Sequence, residues 1–120
     1  MSIFRRLFGK ADRAPRPTRQ PFTAQVAPEG RVFVVGDVHG EAAALEALLT
    51  AIGSEDPEAT IVFVGDYVDR GEGSADVLRR VMALNSEDPA RRICLRGNHE
   101  QMMLDFLEAP ERTGDRWLRY

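Results

Sequence analysis

Three short apolar runs divide the second part of this chain, Val32-Phe33-Val34-Val35, Ile61-Val62-Phe63-Val64 and Ile93-Cys94-Leu95. Each is rich in β-branched or bulky residues and is continuous rather than alternating, as expected of strands in a parallel sheet covered on both faces. Between the runs the apolar residues recur at helical spacing instead. Leu45, Leu48, Leu49 and Ile52 predict a first helix, which Gly53 would end in a left-handed conformation. Val77, Leu78, Val81 and Met82 predict a second, capped by Ser74 and closed by Asn85. Met102, Met103, Phe106 and Leu107 predict a third, stopped near Pro110. The first two helices are each followed by the same tetrapeptide, Ser54-Glu55-Asp56-Pro57 and Ser86-Glu87-Asp88-Pro89, which reads as repeated turn chemistry. Strand and helix in alternation predict an α/β domain of repeated β-α units with parallel strands over residues 31–120.

Residues 1–30 break this pattern. Pro15, Pro17, Pro21 and Pro28 interrupt any regular element, so the segment is expected to be a flexible tail. Its tip, Met1-Ser2-Ile3-Phe4-Arg5-Arg6-Leu7-Phe8, mixes apolar and basic residues and suits weak contact with an anionic membrane surface. A piece so short is marginal as a helix in water, and the favoured expectation is a solvated terminus.

Charge separates the two regions. Residues 1–30 hold six basic and two acidic side chains, and residues 31–120 hold ten and seventeen, so the net charge of -3 conceals a domain near -7. That acidic balance argues against a nucleic-acid surface on the domain. Lys10 is the sole lysine, which removes a lysine-centred phosphate loop. No apolar stretch reaches the ~20 residues of a membrane span, and the start lacks a secretion signal, so a cytoplasmic location is expected. Cys94 is the only cysteine, which rules out an internal disulfide, and its apolar surroundings suit a small buried residue.

The candidate chemistry lies where the apolar runs stop. Each meets a glycine and then a side chain able to bind a hard cation: Gly36-Asp37-Val38-His39-Gly40, Gly65-Asp66-Tyr67-Val68-Asp69-Arg70-Gly71 and Arg96-Gly97-Asn98-His99-Glu100. Positions 37, 66 and 98 lie 29 and 32 residues apart, about one strand-helix-strand unit each. In open parallel sheets the ligand site lies beyond the carboxyl ends of the strands, where these positions fall. Carboxylate, imidazole and amide oxygen together suit a pair of divalent ions such as manganese, iron or zinc. Asp66 is the candidate bridge between two ions, with Asp37 and His39 on one and Asn98 on the other. Helix capping alone would account for an Asp or Asn at each turn, but gives no reason for His39, His99, Asp69, Arg70 and Arg96 to gather there. A cysteine-nucleophile phosphatase fails on spacing, because the residue six beyond Cys94 is Glu100 where arginine is needed.

Gly-Asp-Val-His-Gly, Gly-Asp-Tyr-Val-Asp-Arg-Gly and Leu-Arg-Gly-Asn-His-Glu resemble the three signature segments of the phosphoprotein phosphatases, a family within the calcineurin-like metallophosphoesterase superfamily, and the likeness is to members of bacterial type. The resemblance implies the N-terminal half of a four-layer α/β/β/α sandwich. It implies a binuclear centre, manganese foremost with iron or zinc as alternatives, in which Asp37, His39 and Asp66 hold the first ion and Asp66 and Asn98 the second. It also implies that His99 is the general acid, held by Asp69, that Arg70 and Arg96 grip the phosphate, and that a water activated between the ions attacks phosphorus. The implied function is hydrolysis of phosphomonoesters, foremost phosphoserine and phosphothreonine in a protein or peptide substrate. Symmetrical diadenosine tetraphosphate hydrolysis is the alternative, since surrounding loops choose the substrate.

Relatives of this kind take further histidine ligands from later in the domain, whereas both histidines of this chain are already assigned. The expectation is therefore a domain incomplete at its C-terminal side, its second ion short of ligands and one sheet face left uncovered. A weakly active or inactive module that binds metal or phosphate is the contrasting reading.

Overall fold

The computed structural model of the protein describes residues 28–119. Most of the expected tail, including the stretch considered for membrane contact, lies outside the described residues. The elements run β1 (Val32–Val35), α1 (Ala42–Glu55), β2 (Thr60–Phe63), α2 (Ser74–Glu87), β3 (Arg92–Cys94), α3 (Asn98–Glu108) and α4 (Pro110–Trp117). The three strands form one parallel sheet in the order β1-β2-β3, with Val35 opposite Phe63 and Phe63 opposite Cys94. The α/β fold of repeated β-α units is thus the observed one. No described helix is long and apolar enough to cross a membrane.

Sheet order decides where the core lies. Strands laid down in sequence by right-handed crossovers put both connecting helices on the same face. Phe33, Val35, Ile61, Phe63 and Cys94 accordingly meet Leu45, Leu49 and Ile52 of α1 and Val77, Leu78, Val81 and Leu84 of α2. Phe63 and Val77 are completely buried at its centre. Burying such a side chain is worth about 1.5–3 kcal/mol, enough to pin β2 and α2 together. Alternate strand residues point the other way. Val34 is 66% exposed, and Val32, Val64 and Leu95 are also exposed, so among the described residues only one face of the sheet is covered. The continuous apolar runs predict two covered faces, and the second is open because no described element crosses it.

Helix ends differ from the sequence expectation in informative ways. Gly53 lies inside α1, which runs on to Glu55, and Asn85 lies inside α2. Ser74 is the first residue of α2 rather than its cap. Its hydroxyl instead accepts the N–H of Asp69 at 3.1 Å, and Asn85 donates to the Arg92 carbonyl at 2.6 Å, so tertiary partners claim both side chains. Met82 and Leu107 stay largely exposed at the edge of their helical faces. Pro110 ends α3 and also opens α4, a position where its missing N–H costs nothing.

The repeated tetrapeptide has one job twice. Asp56 and Asp88 end their helices, their N–H groups reaching back to Ile52 and Leu84. Their carboxylates then accept the N–H of Glu58 and of Arg91, turning the chain into the next strand.

Candidate metal centre

The loops beyond β1, β2 and β3 are held together by backbone. His39 N–H donates to the Asp66 carbonyl at 2.9 Å, Gly40 N–H to Tyr67 at 2.8 Å, and Gly71 N–H returns to the His39 carbonyl at 2.8 Å. Such pairing needs chains closer than side chains permit. A Cβ on Gly65, whose φ is +102°, would lie 2.1 Å from the Gly97 nitrogen, and one on Gly97 would lie 2.1 Å from Asp66 Oδ1. Both glycines therefore serve close approach, and Gly65 also supplies a left-handed backbone.

Strain marks the same loops. Asp37, His39, Asp66, Asp69 and Arg70 all have positive φ, between 43° and 70°, and they are the only non-glycine residues so placed among those described. Asp and His tolerate this region better than most, yet each such residue still costs on the order of 1 kcal/mol or more. All five are candidate site residues by sequence. Strain of this kind persists where surrounding contacts over-determine the backbone.

Four side chains converge. Ligand atoms of His39, Asp66 and His99 lie within 4.8 Å of one another, an arrangement able to hold a metal ion. His39 is 8% exposed and donates from Nδ1 to the Val68 carbonyl at 2.8 Å, which turns Nε2 into the lone-pair-bearing atom. His99 is 3% exposed, and its Nδ1 lies 2.8 Å from Asp69 Oδ2. An ionised carboxylate only accepts, so the His99 Nδ1 carries a proton and its exchangeable chemistry falls to Nε2. The two rings meet edge to face with centroids 4.6 Å apart. Asp66 Oδ1 accepts the backbone N–H of His99 at 3.1 Å, tying the second loop to the start of α3. Two imidazoles and a carboxylate are a donor set that manganese, iron or zinc accepts, so the residues fit a divalent ion.

The remaining sequence candidates stand at the margin. Asp37 is exposed at the end of β1 and is outside the group formed by His39, Asp66 and His99. Asn98 is exposed at the first position of α3, next to His99. Arg70 and Arg96 are exposed too. Arg31, Arg79, Arg80 and Arg91 are paired with carboxylates, whereas neither Arg70 nor Arg96 has an ion-pair partner among the described residues.

Two residues that hold the site escape sequence reasoning. Glu100, 7% exposed, accepts four backbone N–H groups: Asp66 at 2.8 Å, Tyr67 at 2.7 Å, Val68 at 3.2 Å and Gly97 at 2.9 Å. Only the last was legible, since a Glu at the third position of a helix often reaches back to the residue before it. Trp117 donates from Nε1 to Asp69 Oδ2 at 3.0 Å across 48 residues of sequence, and no local pattern announces it. Tyr67 is a structural tie, its hydroxyl donating to the Leu95 carbonyl at 2.7 Å, and burial pushes its phenol well above the ordinary value. Burial likewise raises the Cys94 thiol.

A parallel α/β sheet whose strand ends carry a His-Asp-His cluster with both imidazoles buried, one of them paired with an aspartate, is the framework of a metal-dependent phosphoesterase. Residues 30–120 match the family model for calcineurin-like phosphoesterases, and the chain belongs to that family. It is 42% identical over 69 residues to the serine/threonine-protein phosphatase 6 catalytic subunit of Drosophila melanogaster. That match covers 58% of this chain and 22% of the fly protein.

Proposed function

We propose that the protein hydrolyses phosphoserine or phosphothreonine esters in a protein or peptide substrate, using two divalent ions, manganese foremost. The observation that carries this reading is the convergence of His39, Asp66 and His99 with Asp69 on the His99 ring. Asp37, His39 and Asp66 would hold one ion, and Asp66 and Asn98 the other. Bound divalent ions supply Lewis acidity and make a water molecule a stronger nucleophile.

The protein's own groups do the rest. Arg70 and Arg96, exposed and without carboxylate partners among the described residues, present planar forks that match phosphoryl oxygens. Hydrolysis forms a bond from phosphorus to a water oxygen and breaks the bond to the serine or threonine oxygen, whose departing alkoxide takes a proton. As an imidazolium, His99 donates that proton from Nε2 and is left as the Nδ1–H tautomer, which Asp69 holds and keeps aimed. A histidine held this way also makes a good metal ligand, so the acid assignment rests on the metal content of a His99 variant.

Substrate class is supported by the name of the fly relative and by the Tyr67-Val68-Asp69-Arg70-Gly71 and Arg96-Gly97-Asn98-His99-Glu100 segments. Turnover of a phosphothreonine peptide should exceed that of a dinucleoside tetraphosphate in manganese buffer. The reverse order would replace the proposal with a polyphosphate hydrolase.

A further inference from the structure

Asp69 Oδ2 has two donors, His99 Nδ1 at 2.8 Å and the Trp117 indole N–H at 3.0 Å. They come from opposite ends of the α3-α4 pair. His99 is the second residue of α3, and Trp117 the last of α4.

Several contacts fix how α4 folds back. Thr113 Oγ1 hydrogen-bonds with the Asp105 carbonyl at 3.0 Å and the Ala109 carbonyl at 2.9 Å. The Trp117 ring packs against Phe106 of α3 at 4.9 Å, tilted by 48°. Gly114 lies against the same Phe106 ring, where an added Cβ would come within 3.4 Å of it. The indole is thus a rigid donor delivered from a packed element, and indole N–H only donates. Asp69, by contrast, sits on a left-handed backbone in a loop, and its N–H is held by Ser74. A carboxylate held by one partner can rotate about its terminal torsion, which is broad and shallow. A second donor on the same oxygen removes that freedom.

We propose that Trp117 is a positioning residue for the Asp69–His99 pair, so that the docking of α4 sets the aim of the proton-donating imidazole. The catalytic consequence rests on the phosphatase reading above; the positional one does not. Trp117→Phe keeps an aromatic ring beside Phe106 and removes the N–H together with the five-membered ring that carries it.

The chain has a single tryptophan, so its indole proton gives one unambiguous NMR signal. That proton should be protected from solvent exchange in the full chain and lose protection in Asp69→Ala. Nitrogen shifts of the His99 ring at fixed pH should show the Nδ1–H form in the native chain and a mixture of tautomers in Trp117→Phe. With manganese bound, Trp117→Phe should lower kcat on a phosphothreonine peptide by roughly 5-fold, the scale of one modest hydrogen bond, with KM unchanged. On p-nitrophenyl phosphate, whose leaving group needs little protonation, the loss should be under about 2-fold.

An indole signal that ignores Asp69→Ala, or His99 shifts unchanged in Trp117→Phe, would overturn the proposal. Equal losses on both esters would do the same, since they would mark a purely structural effect. If neither ester is turned over by the native chain while the ring signals still respond, the phosphatase reading falls and the positioning role stands.

Discussion

Replacing Glu100 with Gln keeps the shape of the side chain and tests the tie between the second and third loops. Glu100 Oε1 accepts Tyr67 and Val68, and Oε2 accepts Asp66 and Gly97. A glutamine amide has one accepting edge and one donating edge. Whichever way it turns, two backbone N–H groups face an NH2 group, and the other two lose a charged acceptor. Hydrogen bonds to charged groups contribute about 1.5–3 kcal/mol each, and a buried orphaned donor costs about 1–3. The position is 7% exposed, so water cannot step in. Loss of about 3–5 kcal/mol follows, a large share of the 5–15 kcal/mol that holds a typical domain together. Urea unfolding followed by Trp117 fluorescence should show the midpoint falling by roughly 2 M or more, with m near 1–2 kcal/mol/M. Glu72→Gln, an exposed carboxylate in the same loop, should change little. Amide exchange should also quicken at Asp66, Tyr67 and Gly97 before the rest of the sheet. A Glu100→Gln protein unfolding within about 0.5 kcal/mol of the native one would refute the assignment of these four bonds as a structural tie.

The site and its packing support further tests. His99→Asn should slow turnover by roughly 100-fold while metal content by elemental analysis stays nearly unchanged; metal lost with the imidazole would make His99 a ligand. Asp66→Asn removes the charge shared by the proposed ions, so the purified protein should carry little metal, and full occupancy would sink the bridging role. Tyr67 favours its neutral form in the fold, so its contribution is complete below the unfolded phenol value of about 10 and is lost as pH rises above it. The native chain should therefore lose up to about 1.4 kcal/mol per pH unit above pH 10, and Tyr67→Phe should lack that loss, so that the difference between the two proteins changes steadily with pH. Parallel curves would show that the phenol is not buried in solution.

Much of the α/β order was legible because periodicity is a local property. Residues 3 or 4 apart share a helical face, and β-branched runs stay extended whatever lies beyond them. The element order follows from that alone, as does the placement of Asp37, Asp66 and Asn98 at strand ends. Helix ends were less legible. Ser74 and Asn85 have the chemistry of caps, but Asp69 and Arg92 offered them better partners from elsewhere in the fold. Met82 and Leu107 satisfy helical spacing, yet a helix buries only the arc that meets its packing partners.

By itself the sequence determined the alternation of strand and helix, the glycine before each ligand-bearing residue, and the residue types available for chemistry. These depend on short-range sterics and on side-chain identity. Tertiary structure decided that His39, Asp66 and His99 fall within reach of one another while Asp37 stays outside their group. It also decided that Glu100 gathers four N–H groups and that Trp117 reaches Asp69 from 48 residues away. Those choices rest on close backbone approach at Gly65 and Gly97 and on the fold-back of α4, which join positions that no local pattern connects.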